Sequence, residues 1–172
     1  KGLSIGVQKI TISTAGYLPG LMRWNNEMPK VNLALSLHSV FTDTRNELIP
    51  INRKFPLEKV IEYIKTIPLQ RKQYILYEYL MIKDLNDSEK DARALGELLK
   101  GTQSIINLIP FNPIPGSTYL RPLKQTVEDF QKILVEYNLP GLIRTTKGDD
   151  ILAACGQLNT KQKNTSSFSN LQ

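Results

Sequence analysis

Cysteine occurs once in this chain of 172 residues, at position 155, and histidine once, at position 38. A single thiol excludes an intramolecular disulfide, so cysteine usage gives no sign of secretion. It also prevents the chain from ligating an iron–sulfur cluster or a structural zinc through thiolates of its own. No apolar run approaches the length of a transmembrane helix, and the opening Lys-Gly-Leu-Ser-Ile-Gly lacks the pattern of a signal peptide. A cytoplasmic setting without a membrane partner is therefore expected. No Gly-x-Gly-x-x-Gly follows a strand-like run, which leaves a dinucleotide-binding sheet unsupported. The first residue is lysine rather than methionine, which reads as a segment of something longer.

Apolar residues make up 41% of the chain, enough for one compact domain with a sizeable core. The 22 Lys+Arg outnumber the 16 Asp+Glu and give a net charge of +6. That balance is compatible with a nucleic-acid partner, and equally with a solvated basic surface.

Strand-like runs recur at Gln8–Thr14, Val31–His38, Tyr74–Ile82 and Ile105–Pro113, with a shorter one at Leu142–Thr146. Helix signals lie between them. Pro56 opens an amphipathic stretch from Leu57 to Ile64, with proline in the first turn. Ser88 with Asp91 resembles a capping box ahead of Ala92–Lys100, and Gly101 is a C-terminal stop. Gln125–Asn138 carries a stripe of Val127, Phe130, Ile133, Leu134 and Tyr137, assigned to the core. Strands alternating with helices predict a parallel α/β architecture, and too few strands to close it predict an incomplete β/α barrel. The polar residues 159–172 read as a disordered tail behind a barrel portion at 1–158.

In β/α barrels, ligands sit at the carboxyl ends of the strands. Here those ends are polar: Ser13-Thr14, Ser36-Leu37-His38, Phe111-Asn112, and Arg144-Thr145-Thr146 leading towards Cys155. Each residue alone has a bland reading, as a turn, cap or satisfied rim residue. Together on one rim, neutral hydroxyl, imidazole and amide groups suit a ribose, an adenine or an amino-acid moiety. Glu78, in mid-strand, must face either the barrel interior or the helices, and both are costly without a partner. Cys155 sits among small neighbours, Ala153-Ala154 before it and Gly156 after it. A lone cysteine is more often a buried hydrophobe than a nucleophile, and the acids Asp149-Asp150 would raise its pKa. The stiff loop Pro113–Pro122 could stack on and pair with RNA, though loop chemistry explains it equally well. Arg53, Lys54, Lys83, Arg121, Lys124, Arg144 and Lys147 are candidate phosphate contacts.

With these residues in place, the chain resembles the C-terminal part of the radical-SAM rRNA (adenine-C2)-methyltransferase family, which also methylates a tRNA adenine. The resemblance rests on Ile12–Gly16, Ala34–His38, Arg45 through Pro50-Ile51-Asn52, Glu78-Tyr79, Asn86-Asp87-Ser88, Asn107 through Gly116, and Gly148-Asp149-Asp150 through Cys155-Gly156-Gln157-Leu158. It implies a portion of a (β/α)6 radical-SAM barrel that works on 23S rRNA and tRNA with S-adenosyl-L-methionine, a [4Fe–4S] cluster and a reductant for that cluster. By the same resemblance, Ser13, Ser36, Leu37, His38 and Asn112 match positions that bind S-adenosylmethionine. Cys155 matches a catalytic cysteine that is first methylated and then, as a carbon radical, adds to carbon 2 of the adenine. The cofactor carries the hard chemistry and the protein orients it.

The departures are equally specific. The family's Cys-x-x-x-Cys-x-x-Cys cluster motif, its Gly-Glu-Pro strand, its general-base glutamate and its resolving cysteine have no counterpart in this sequence. No metal ligand is therefore expected within the chain, and by itself it is expected to be inactive. Missing barrel strands would leave an open sheet edge. Two readings follow: part of a methyltransferase, monomeric when complete, or a non-catalytic remnant retaining at most weak RNA contact.

Overall fold

The computed structural model describes residues 6–71 and 73–144. Five parallel strands form one sheet: β1 (Thr11–Thr14), β2 (Asn32–Ser36), β3 (Ile75–Met81), β4 (Ser104–Pro110) and β5 (Gly141–Ile143). Each pairs only with its neighbours in chain order. Such winding in one direction is that of a barrel segment; a doubly wound sheet reverses its strand order. Among the described residues β1 and β5 are the two edges, as an incomplete barrel requires.

Helices α1 (Leu18–Glu27), α2 (Thr42–Leu48), α3 (Leu57–Lys65), α4 (Glu89–Leu99) and α5 (Lys124–Glu136) make the crossovers. Local chemistry starts and stops them. Proline lies in the first turn of α1. Ser88 accepts from the Asp91 N–H while the Asp91 carboxylate accepts from the Ser88 N–H, a complete capping box for α4. Gly101, at φ +75°, follows α4 in the left-handed region where glycine carries no penalty. None of the described helices is long and apolar enough to cross a membrane.

The core lies on one face of the sheet. Leu33, Leu35, Ile75, Tyr77, Tyr79, Met81, Ile106 and Leu108 pack there with Trp24 of α1, Val60 and Ile64 of α3, Leu95 of α4 and Phe130 of α5. Val127, Phe130 and Leu134 are buried as their spacing predicted. The first and fourth strands are shorter than the apolar runs. Val7–Lys9 forms a 3-10 turn closed by N–H bonds from Lys9 to Gly6 and from Ile10 to Val7. Pairing starts at Thr11 because β2 offers its first register partner there, Asn32. β4 ends at Pro110. Helices α1 and α2 carry few buried apolar positions and were not separately expected; α1 is held by Trp24, whose indole N–H donates to the Val31 carbonyl at 3.1 Å.

Candidate active site at the carboxyl rim

Successive strand residues point to opposite faces, so the register decides which polar residues meet. Ser36 pairs with Glu78, Glu78 with Asn107, and Asn107 with Leu142. Ser36, Glu78 and Asn107 therefore form one row on the face away from the helices, and all three are half-buried. Ser13 pairs with Ala34 and shares that face, one strand across and one pleat below Ser36. Glu78 thus points into the barrel side, which settles the alternative left by the sequence. Asn107 had no assigned role. Its signal was parity: Ile105, Asn107 and Ile109 alternate with the buried Ser104, Ile106, Leu108 and Pro110.

Above this row the β2–β3 ladder stops, and side chains replace it. The Leu37 N–H donates to the Glu78 carbonyl at 2.9 Å. A regular parallel ladder would next join the Leu80 N–H to the Leu37 carbonyl. That carbonyl instead accepts from Arg45 Nε at 3.0 Å, and the Leu80 N–H is 3.1 Å from His38 Nδ1. His38 reaches this position with φ +59°, in the left-handed region. Burial, reinforced by the Arg45 charge, pushes its imidazole down to about 4 despite the nearby Glu78 carbonyl, so the ring is neutral near pH 7.

Arg45 is fully buried without an ion pair among the described residues. Its guanidinium donates to the carbonyls of Leu37, Ala15 and Ser36 and to Asn52 Oδ1 at 2.5 Å. Burial pushes it down to about 10, still cationic near neutrality. It ties the ends of β1 and β2 together and lays a positive charge beneath the rim. Gly16, at φ +102°, lets the chain turn over it; an added Cβ would lie 3.5 Å from the guanidinium. On the other side Asn86, also fully buried, donates to the His38 carbonyl at 2.6 Å and the Leu80 carbonyl at 2.7 Å. Its Oδ1 accepts from the Ile82 N–H at 2.7 Å. Arg45 and Asn86 entered the sequence reading only as parts of matching stretches; their roles need the tertiary structure.

The other candidates fall as follows. The Leu37 side chain is in the hydrophobic core and its main-chain groups are used internally, so it sets the spacing between Ser36 and His38. Asn112 is half-buried just beyond β4, where the Phe111 N–H still bonds the Met81 carbonyl. Lys83, Arg121, Lys124 and Arg144 are exposed after the carboxyl ends of β3, β4 and β5; Arg53 and Lys54 are exposed after α2. The Pro113–Pro122 loop is anchored by the Lys83 N–H to the Leu120 carbonyl and by the Tyr119 hydroxyl to Glu47. Cys155, Thr145, Thr146, Lys147 and the tail from 159 lie outside the described residues. Two clefts of about 620 and 450 Å³ open at the opposite, amino end of the sheet, around Lys100–Thr102. They contain none of the candidates.

At the carboxyl ends of β1, β2 and β4 the residues Ser13, Ser36, His38 and Asn112 offer uncharged donors and acceptors, and Glu78 adds a carboxylate on the face that Ser13 and Ser36 share. That donor set fits the hydroxyl, ring and ammonium groups of S-adenosylmethionine. An iron–sulfur cluster does not fit the described residues, since no three His, Cys, Asp or Glu side chains among them could hold a metal ion.

No family profile matches the chain. It is 43% identical over 163 residues to the dual-specificity RNA methyltransferase RlmN of Nautilia profundicola, covering 95% of this chain and 46% of that protein. It is 45% identical to that of Rhizobium johnstonii, covering 94% and 40%. The chain thus spans about half the length of the curated relatives it matches. A radical SAM methyltransferase from Sphaerobacter thermophilus superposes with a TM-score of 0.82 at 36% identity, over 91% of this chain and 46% of that one. A domain of a pyruvate-formate lyase-activating enzyme from Bacteroides vulgatus has a TM-score of 0.60 at 17% identity and shows the fold alone. Over the residues it contains, the chain belongs to the radical-SAM dual-specificity RNA methyltransferase family, of whose members it matches about half the length.

Proposed function

We propose that this chain is the part of an RNA methyltransferase that binds S-adenosylmethionine and carries its methyl group to carbon 2 of an adenine in 23S rRNA and tRNA. The observation that supports this best is the gathering of Ser13, Ser36, His38 and Asn112 at the carboxyl rim of a sheet whose relatives are RNA methyltransferases. When bound, S-adenosylmethionine supplies the transferable methyl group and, after one-electron reduction, the means to activate it. The residues of this chain bind and orient. Ser13 and Ser36 donate or accept from the open face, His38 and Asn112 close the rim, and the Arg45 charge beneath favours a carboxylate above it. Cys155 is the methyl acceptor. The cluster and its reductant act through residues outside this sequence, in a cytoplasmic and monomeric enzyme, and the exposed cations at the strand ends meet RNA phosphates.

The test is the intact mass and peptide map of the protein purified from its source cells. A Cys155 one methyl group heavier supports the reading. An unmodified Cys155 in a chain that begins near Lys1 supports the second reading, a non-catalytic remnant.

A further inference from the structure

We infer that Asn86 is a positioning residue that locks His38 as an uncharged hydrogen-bond donor, through Nε2–H, at the mouth of the rim. The inference deepens the cofactor-binding reading and rests on it for the identity of the acceptor. The geometry is over-determined around Nδ1. That atom lies 3.1 Å from the Leu80 amide nitrogen and 3.0 Å from the Glu78 carbonyl. A backbone N–H can only donate, whereas the Glu78 carbonyl already accepts from the Leu37 N–H at 2.9 Å and the His38 N–H at 3.3 Å. Nδ1 is therefore the lone-pair acceptor for Leu80, and the proton of the neutral ring resides on Nε2. No described residue accepts from Nε2.

This arrangement needs the left-handed backbone at His38 and a fixed Leu80, and Asn86 holds both. One Nδ2 group bonds the carbonyls of His38 and Leu80, on two different strands' ends, while Oδ1 takes the Ile82 N–H. The Tyr79 hydroxyl donates to the Asn86 carbonyl at 2.8 Å and fixes Asn86 in turn. The charged residues around the ring are Arg45 from α2, which disfavours an imidazolium, and Glu78 from β3, which meets it through its main-chain carbonyl. The acceptor suited to such a donor is neutral or anionic: a ring nitrogen, a hydroxyl or a carboxylate of the cofactor. A histidine acting instead as a proton shuttle would need Nδ1 free to change partners.

Because His38 is the only histidine, ¹⁵N imidazole NMR of the full chain reports on it without assignment. The expected spectrum is that of the Nε2–H tautomer, unchanged between pH 8 and pH 5. Asn86→Ala and the near-isosteric Asn86→Asp, checked for folding by circular dichroism, should give mixed tautomers that titrate near the ordinary histidine value. An Nδ1–H or charged ring in the parent protein, or folded Asn86 variants with an unchanged spectrum, would overturn the inference. Equilibrium dialysis with S-adenosylmethionine tests the acceptor separately. His38→Asn tolerates the left-handed backbone and can still accept from Leu80, but it places no donor at Nε2; His38→Gln restores one. At least tenfold weaker binding in His38→Asn with partial recovery in His38→Gln is expected. Equal binding by both variants would sink the donor role. No binding by the parent protein would overturn the cofactor reading while the NMR result still decides the positioning.

Discussion

On β3 the residues Ile75, Tyr77, Tyr79 and Met81 are at most 2% exposed, whereas Leu76, Glu78 and Leu80 between them are half-buried and face away from the helices. The same seven residues thus serve two purposes with period two. The covered face supplies stability by burying apolar area against α3, α4 and α5. The open face carries Ser36, Glu78 and Asn107 in one row and contributes little to the core. At the rim the two meet, and there the buried polar residues Arg45 and Asn86 stabilise the corner that carries His38. Substitutions should separate into these classes.

The largest loss is expected from Arg45→Ala. It empties a fully buried site and takes a donor from the carbonyls of Ala15, Ser36 and Leu37, the last of which keeps only the Ser39 N–H. About 4 kcal/mol of destabilisation follows from cavity and desolvation costs together. A denaturant midpoint shifted no more than that of a surface variant would break the comparison.

Acid should act on the corner next. His38 is neutral when folded, with its value at about 4 against 6.5 when exposed. Between those values the unfolded chain binds the extra proton, so stability falls as pH drops from about 6.5 to about 4. The loss is roughly 3 kcal/mol, and the term is flat below that window. His38→Asn should lack this component, and the difference between the two stability–pH curves isolates it from the carboxylates. Parallel curves would mean the imidazole is not buried neutral.

Smaller is the effect of Tyr79→Phe, which removes only the hydroxyl bonded to the Asn86 carbonyl. About 1 kcal/mol is expected, read by thermal unfolding. Smallest for stability are Ser36→Ala and Asn107→Ala on the open face. Each should stay within about 0.5 kcal/mol of the parent. Ser36→Ala should nonetheless weaken S-adenosylmethionine binding several-fold in equilibrium dialysis. Strong destabilisation by either, or unimpaired binding in Ser36→Ala, would show that the two faces are not divided as described.

Much of this was legible beforehand because it is local. The apolar runs around β2, β3 and β4, the proline opening α3, and the Ser88–Asp91 cap of α4 follow from residue chemistry over a few positions. Polar residues at strand ends were visible too, since Ser13, Ser36 and His38 interrupt apolar runs. Helix α1 buries only Leu21 and Trp24 and α2 only Arg45, too few apolar positions to set a readable period, and the 3-10 turn at Val7–Lys9 is set by where β2 begins. Glu78 could be placed on a strand but not on a face, because parity becomes a direction only once one face is covered.

The sequence by itself determined the alternation of strands and helices, the helix caps, and the set of neutral polar groups at the strand ends, because each depends on neighbours along the chain. Tertiary structure alone decided that Ser36, Glu78 and Asn107 share a row, and that Arg45 and Asn86 complete the ladder where β2 and β3 part. Those relations join residues as far apart as Asn86 and His38. They arise from register and from the demand that buried carbonyls and N–H groups find partners, and both come into force only when the strands lie side by side.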